Sequence, residues 1–230
     1  MLGIIGAMPE EVAELIERMK EDSTRTKAGM VFHAGTLEGE SVVIVKSGVG
    51  KVNAGICAQI LADDYNVTGL INTGIAGSLD AAIDIGDIVI SSDALYYDVN
   101  ATVWGYLPGE IPQLGQREFP ADAQMMRRAQ ESCRTAVPDI GIHTGRIASG
   151  DSFISDKDKK KWIRETFGAS CVEMEGAAIA QAAWLNGIPF VILRAISDKA
   201  DGSATMDYDV FEKKAIDHLV GAVQEFVRIR

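Results

Sequence analysis

Short apolar runs alternate along this chain with longer segments in which apolar residues return every three or four positions. A short run bounded by turn residues marks a buried strand, and the longer period marks a helix with one face inward. Leu2 to Gly6 forms such a run. Pro9 then suits a first helical position, where its missing N–H is no loss, and Glu10, Glu11 and Glu14 complement the positive helix start. Val31 to Leu37 and Ser41 to Ser47 are expected to pair as strands around Gly39, and Val52 to Ala62 to be helical. Gly69 to Thr73 predicts a buried strand closed by a glycine turn over Gly74 to Gly77, and Asp87 to Ser91 begins another strand. Residues 98 to 120 carry Pro108, Gly109, Pro112, Gly115 and Pro120 and predict a long irregular loop. Beyond it, helices over Asp122 to Arg134, Lys157 to Phe167 and Glu175 to Leu185 alternate with strands over Gly141 to Ala148, Ser170 to Val172 and Pro189 to Ile196. A last helix sets Phe211, Ala215, Leu219, Val223 and Phe226 on one face. This order predicts an α/β fold: a single domain over residues 1–230 with a central mixed, largely parallel twisted sheet flanked by helices on both faces.

Composition narrows the function. The chain is 47% hydrophobic and 24% charged, ordinary for a globular protein and not for a disordered tail or a fibre. Its net charge of −11, from 22 Lys and Arg against 33 Asp and Glu, offers no clustered cations to neutralise a polyanion, so no nucleic-acid partner is expected. The basic run from Lys157 to Lys161 is broken by Asp158 and is expected to be a solvated helix face. Cys57, Cys133 and Cys171 are scattered and form no C-x-x-C, so neither a disulfide framework nor a zinc site is suggested, and a reducing cytoplasm is the expected location. The apolar start runs into Glu10 and Glu11 with no basic segment before it, unlike a signal peptide, and no run of ~18 apolar residues is present to cross a membrane.

Three carboxylates fall at predicted strand ends, where ligands bind in sheets of this kind. Glu11 lies in the first turn after the first strand, Glu175 opens the helix after Cys171–Val172, and Asp198 follows the strand ending at Ile196. Each lies next to a Gly-rich or Ser-bearing turn, which suggests hydrolysis or group transfer by general acid and base. Competing machineries are poorly supplied: His33, His143 and His218 are isolated, and neither G-x-S-x-G, a Walker sequence, G-x-G-x-x-G nor calcium-loop spacing occurs. Glu11, in a first helical turn, is expected to be held ionised by the helix dipole.

A set of longer stretches carries a family resemblance. They are G-I-I-G-A-M-P-E-E-V at 3–12, K-S-G-V-G-K-V-N-A at 46–54, N-T-G-I-A-G at 72–77 and G-D-I-V-I-S at 86–91. S-G-D-S-F-I at 149–154, V-E-M-E-G-A-A at 172–178 and R-A-I-S-D at 194–198 continue the series. In these stretches, in this order, the chain resembles the 5′-methylthioadenosine/S-adenosylhomocysteine nucleosidases of the nucleoside phosphorylase superfamily. The resemblance implies a nucleoside phosphorylase-like fold and hydrolysis of the N-glycosidic bond of an adenine nucleoside bearing a 5′-thio group. It implies no cofactor and no metal. By it, Glu11 would activate water, and Asp198, helped by Ser197, would protonate the purine at N7. Glu173, Met174 and Glu175 would line the ribose site, with Glu175 accepting from its hydroxyls. Phe153 would stack on adenine, the backbone of Ile154 would meet its Watson–Crick edge, and Arg194 would hold the surroundings of the water. Val49, Ile75 and Tyr208 would complete the substrate pocket, Val49 and Tyr208 on its apolar 5′ side. Related enzymes are homodimers, so Ala101, Trp104 and Pro112 would close the 5′ pocket of a neighbouring subunit.

The chemistry is coherent on its own terms. Cleavage of an N-glycoside passes through an oxocarbenium-like state, so an anion near the ribose helps, the purine needs a proton to leave, and water needs a base. Several positions depart from the family pattern: Ile75 stands where serine is common, leaving only its backbone N–H to serve, Trp104 and Tyr208 replace phenylalanine, and Pro9 replaces an acid. Two other readings stay open: a phosphate-dependent phosphorylase on the same fold, and a nucleoside-binding sensor without catalysis.

Overall fold

The computed structural model describes residues 1–199 and 208–229, with only the backbone of residues 208–212. The chain opens with β1 (Leu2–Gly6), α1 (Pro9–Arg18), β2 (Lys20–Lys27), β3 (Met30–Leu37), β4 (Glu40–Lys46) and α2 (Lys51–Tyr65). It continues through β5 (Gly69–Ser78), β6 (Ile88–Tyr96), a 3-10 turn at Thr102–Trp104, β7 (Phe119–Pro120), α3 (Ala123–Ala136) and β8 (Ile142–Ser149). The last third is α4 (Lys157–Phe167), β9 (Cys171–Glu173), α5 (Gly176–Leu185), β10 (Phe190–Asp198) and α6 (Tyr208–Arg228).

All the strands join one mixed sheet, as the alternation implied, but part of it closes on itself. β5 carries β10 in parallel along one side. On its other side, Gly69 to Asn72 pair with β1, whereas Gly77 and Ser78 pair with β9. β9 joins β8, β8 joins β6, and β6 returns antiparallel to β10, so five strands form a ring. From β5 the sheet runs outward through β1, β4 and β3 to β2. β2 departs from expectation: its sequence, KEDSTRTK, is exposed throughout and carries no apolar alternation to announce a strand.

Side chains alternate between the two faces, as they must in a strand. Ile5, Val43 and Val45 pack in one core with Ala54 and Leu61 of α2 and Ala177 and Ala180 of α5. Ile4, Val42 and Ile44 pack in another with Val12 and Leu15 of α1, Met125 of α3, and Ala215, Leu219, Val223 and Phe226 of α6. The apolar face predicted for the last helix is therefore buried at each of these four positions, while the side chain of Phe211 lies outside the described residues. Asp122 caps α3, accepting from the N–H groups of Gln124 and Met125, and Asp156 caps α4, accepting from Lys159 N–H.

The glycine turn expected over Gly74 to Gly77 is instead continuous strand, running to Ser78. These glycines serve close approach: a Cβ on Gly74 would lie 2.5 Å from Glu11 Oε1, and one on Gly77 would lie 3.0 Å from both carboxylate oxygens of Asp198.

Candidate active site

Between Asn72, where β1 stops pairing, and Gly77, where β9 begins, one side of β5 has no strand partner. Glu11 fills that gap. Pro9 starts α1 directly after β1, so Glu11 falls at its third residue and turns back over the helix start. Its Oε2 accepts from the backbone N–H groups of Ala7 (2.6 Å) and Met8 (3.0 Å), and its Oε1 accepts from Ile75 N–H of β5 (3.1 Å). The Ile75 N–H expected to be left for a ligand is therefore spent on Glu11. Burial raises the pKa of Glu11 above the ordinary carboxylate range, outweighing the lowering by Arg194 and these three N–H groups. The helix start thus does not hold Glu11 ionised as strongly as expected.

Arg194, on β10, is fully buried across β5 from this gap. It donates to Asn72 Oδ1 (2.6 Å), to Glu173 Oε2 and to Ile75 O (3.3 Å), with Glu175 Oε2 at 3.5 Å. Burial works against its charge, but Glu173, Glu175 and Glu11 together hold it firmly protonated. Glu173 is spent on the scaffold. One oxygen receives the Ser149 hydroxyl, and the other receives Arg194 and the N–H groups of Glu175 (3.1 Å) and Gly176 (2.7 Å). Ser149 also accepts from Ala177 N–H at 2.7 Å, locking the end of β8 to the start of α5. Glu173 therefore lines the cavity but supports its neighbours, and Asn72 and Ser149, which the sequence did not single out, support it in turn.

Glu175 has more freedom. Its Oε1 accepts from Gly50 N–H at 2.9 Å, joining the glycine-rich segment before α2 to the start of α5. Burial, then the charge of Glu173, push its carboxyl up to about 7 against the pull of Arg194. Asp198 ends β10 beyond a bulge that leaves Ser197 as an extra residue between the pairs Ile196–Ala76 and Asp198–Gly77. The bulge brings Ser197 and Asp198 to the site together. Ser197 Oγ lies 3.2 Å from Asp198 Oδ1 and 3.4 Å from Ala76 O. Lys160 Nζ of α4 lies 2.5 Å from Asp198 Oδ2. Lys160 is buried, against the expectation that residues 157–161 form a solvated face. It shares the inward face of α4 with Ile163 and Phe167, a spacing that could have marked it.

These groups meet at one open cleft with a cavity volume of about 130 Å³. Its lining includes Glu11, Val49, Ile75, Phe153, Ile154, Glu173, Met174, Glu175, Arg194, Ser197 and Asp198, so each of these sequence-chosen residues is brought together here. Met8, Gly77, Ser152 and Val172 join them without having been singled out. Phe153 and Val49 stand at the rim with apolar surface open. Glu11 lies against Gly74 and Asp198 against Gly77, three residues apart on one strand and so separated along it by roughly 10 Å. Tyr208 has no described side chain. Ala101, Trp104 and Pro112 do not line the cleft: Ala101 is buried and Trp104 is 74% exposed. Among the described residues no cluster of side chains fits a metal ion.

The model of the phosphorylase superfamily matches residues 1–228. A 5′-methylthioadenosine/S-adenosylhomocysteine nucleosidase of Chromohalobacter salexigens is 40% identical over 228 residues, covering 99% of this chain and 96% of its own. Among solved structures, the nucleosidase of that name from Neisseria meningitidis, in complex with methylthio-immucillin-A, superposes with a TM-score of 0.93. It is 35% identical and covers 99% of this chain and 98% of its own. The corresponding protein of Colwellia psychrerythraea, in complex with adenine, has a TM-score of 0.91 at 37% identity, covering 98% and 93%.

Proposed function

Because this chain belongs to the phosphorylase superfamily, and within it to the 5′-methylthioadenosine/S-adenosylhomocysteine nucleosidases, we propose that its cleft carries out their reaction with the residues described above. The enzyme hydrolyses the N-glycosidic bond of 5′-methylthioadenosine and S-adenosylhomocysteine and releases adenine. Adenine lies against Phe153 and the backbone of Ile154, with N7 toward Asp198. The ribose hydroxyls donate to Glu175 beside Met174, and the 5′ group points past Val49.

Water attacks C1′ and gives a proton to Glu11. The C1′–N9 electron pair leaves with the purine, which takes a proton at N7 from Asp198. The products are adenine and a thioribose, and solvent returns the proton from Glu11 to Asp198. A raised Glu11 is a better base than an ordinary carboxylate, since a base works best when its pKa lies near the working pH. Charge developing on the ribose is met by Glu175. Base and acid stand against different residues of β5, Gly74 and Gly77, so sugar and water are placed between them.

The observation that carries this reading is the placing of Glu11 and Asp198, both buried, beside Gly74 and Gly77 in one cleft. It also weighs against phosphorolysis. Among the described residues Arg194 is the cation lining the cleft, and it is surrounded by three carboxylates that repel a phosphate. Incubation with methylthioadenosine in phosphate-free buffer tests it. Adenine and free methylthioribose are expected. Turnover only on adding phosphate would make the enzyme a phosphorylase, and binding without turnover would make it a sensor.

The enzyme acts as a cytoplasmic homodimer in this proposal. In the long loop, Ile111 and Leu114 pack on the core, yet Val103, Trp104 and Leu107 stay exposed. A shallow groove between that loop, α2 and α5 adds Val52, Val99 and Leu185. Exposed apolar residues of this size, with an aromatic among them, favour a subunit contact. A partner seated there brings the Trp104 segment to the open rim of the neighbouring cleft. No helix among the described residues is long and apolar enough to cross a membrane.

A further inference from the structure

Lys160 is the one member of the basic run that the fold has taken inside, 2% exposed, while Lys157, Lys159 and Lys161 face solvent. A lysine is rarely buried unless its charge is paired. Lys160 Nζ reaches Asp198 Oδ2 at 2.5 Å and the carbonyl of Lys199 at 2.8 Å. Its helix begins shortly after the loop carrying Phe153 and Ile154, and the side chain reaches from α4 to the acid placed at N7. Oδ2 is taken by this contact, and Oδ1, held by Ser197 at 3.2 Å, is the oxygen left for a ligand.

Resting on the nucleosidase reading of this cleft, we infer that Lys160 is a positioning residue for protonation of the leaving group. It fixes the Asp198 carboxyl with Oδ1 toward the purine. The proton for N7 comes from solvent to Oδ1, the oxygen that Lys160 leaves open; as it passes on to N7 and the C1′–N9 pair moves onto the base, the negative charge returns to a carboxylate beside the buried ammonium. A preorganised charge of this kind costs no reorganisation during the reaction. The bland alternative is a staple between α4 and β10 with no part in the chemistry, and the two make different predictions about the leaving group.

Lys160→Met keeps length and removes charge, and Lys160→Arg keeps charge. Each is compared with the parent on methylthioadenosine and on a nitrophenyl 5-methylthioriboside, whose leaving group departs without a proton, after thermal melting confirms a folded protein. For Lys160→Met, kcat on methylthioadenosine should fall at least about tenfold, part of the ~10²–10⁴ that a positioned acid supplies. The nitrophenyl substrate should lose less than about threefold, because that reaction does not use the acid. Lys160→Arg should recover most of the loss. Equal losses on both substrates, or an unchanged kcat on methylthioadenosine, would overturn the role of Lys160. If the Met variant does not fold, Lys160→Gln is compared on the same two substrates, and the same outcomes support or overturn the role. A parent that releases no adenine in phosphate-free buffer would instead overturn the reading of the cleft itself.

Discussion

Glu175→Gln should make the protein more stable at pH 8 while weakening its hold on the ribose. Burial and the neighbouring Glu173 move the Glu175 carboxyl from an ordinary 4.5 to about 7 in the folded protein. The sign follows from linkage. A carboxyl raised on folding contributes most stability when protonated, below about 4.5, and that contribution is lost as pH rises to about 7. At ~1.36 kcal/mol per pH unit, the ionised form costs the fold about 3 kcal/mol at pH 8. Glutamine keeps the shape and an oxygen for Gly50 N–H but carries no charge. Its amide also faces Arg194, which trims the gain, so the expected stabilisation is about 1–3 kcal/mol. For a chain of this length that is roughly 2–10 °C in Tm. Thermal melts of parent and variant from pH 4.5 to 8 measure it. The two should melt together near pH 4.5 and separate progressively by pH 8. A variant that melts no higher at pH 8, or whose advantage is the same at both ends, would show that Glu175 is not held under this strain. Such a trade of stability for a poised group is common in active sites.

Glu11→Gln should lower kcat by ~10²–10⁴ with substrate binding retained, since it removes the general base; its amide nitrogen also gives up the N–H groups that one Glu11 oxygen accepts, so thermal melting accompanies the kinetics. The parent kcat/KM should fall on acidification while still above the ordinary carboxylate range, because Glu11 and Glu175 are both raised. Steady-state kinetics over pH check both, and over half the parent activity in the variant would refute the assignment. Asp198→Asn should abolish cleavage of methylthioadenosine but spare a nitrophenyl riboside, and equal loss on both would make Asp198 a structural or ribose-binding group. Trp104→Ala should weaken dimerisation by over about tenfold and raise KM for 5′-thio substrates together, as loss of an aromatic anchor does. Sedimentation at micromolar concentration is the check, and a fully active parent monomer would refute the shared pocket.

Much of this is legible in the chain. The three acids at strand ends, the helix start at Pro9 and the paired strands around Gly39 follow from local rules, and the structure places them so. What cannot be read depends on contacts distant in sequence. Gly74 and Gly77 look like a turn because local propensity favours one, but they are small because Glu11 and Asp198 press on the strand. The bulge at Ser197 arises from pairing between β10 and β5, more than a hundred residues apart, and no local pattern announces it. Composition misplaces Lys160: in a run of lysines the charge pattern speaks for solvent, whereas its spacing to Ile163 and Phe167 places it inside. Helix position alone predicts a Glu11 carboxyl held low, whereas burial, the larger effect and a property of the assembled sheet, raises it.

The strand that periodicity misses has a consequence of its own. A sheet that bends five of its strands into a ring hides their edges, and the open side that remains runs out to β2. An unpaired edge is a template on which a second chain can add a strand and begin to aggregate. β2 meets that hazard with Lys20, Glu21, Asp22, Arg25 and Lys27, and with a break in its register to β3 between Glu21 and Ser23. Charges and an irregular edge discourage strand addition, which calls for flat and uncharged partners. The absence of apolar alternation that conceals β2 from sequence reading is thus the property that makes the open side of the sheet a poor template for a second strand.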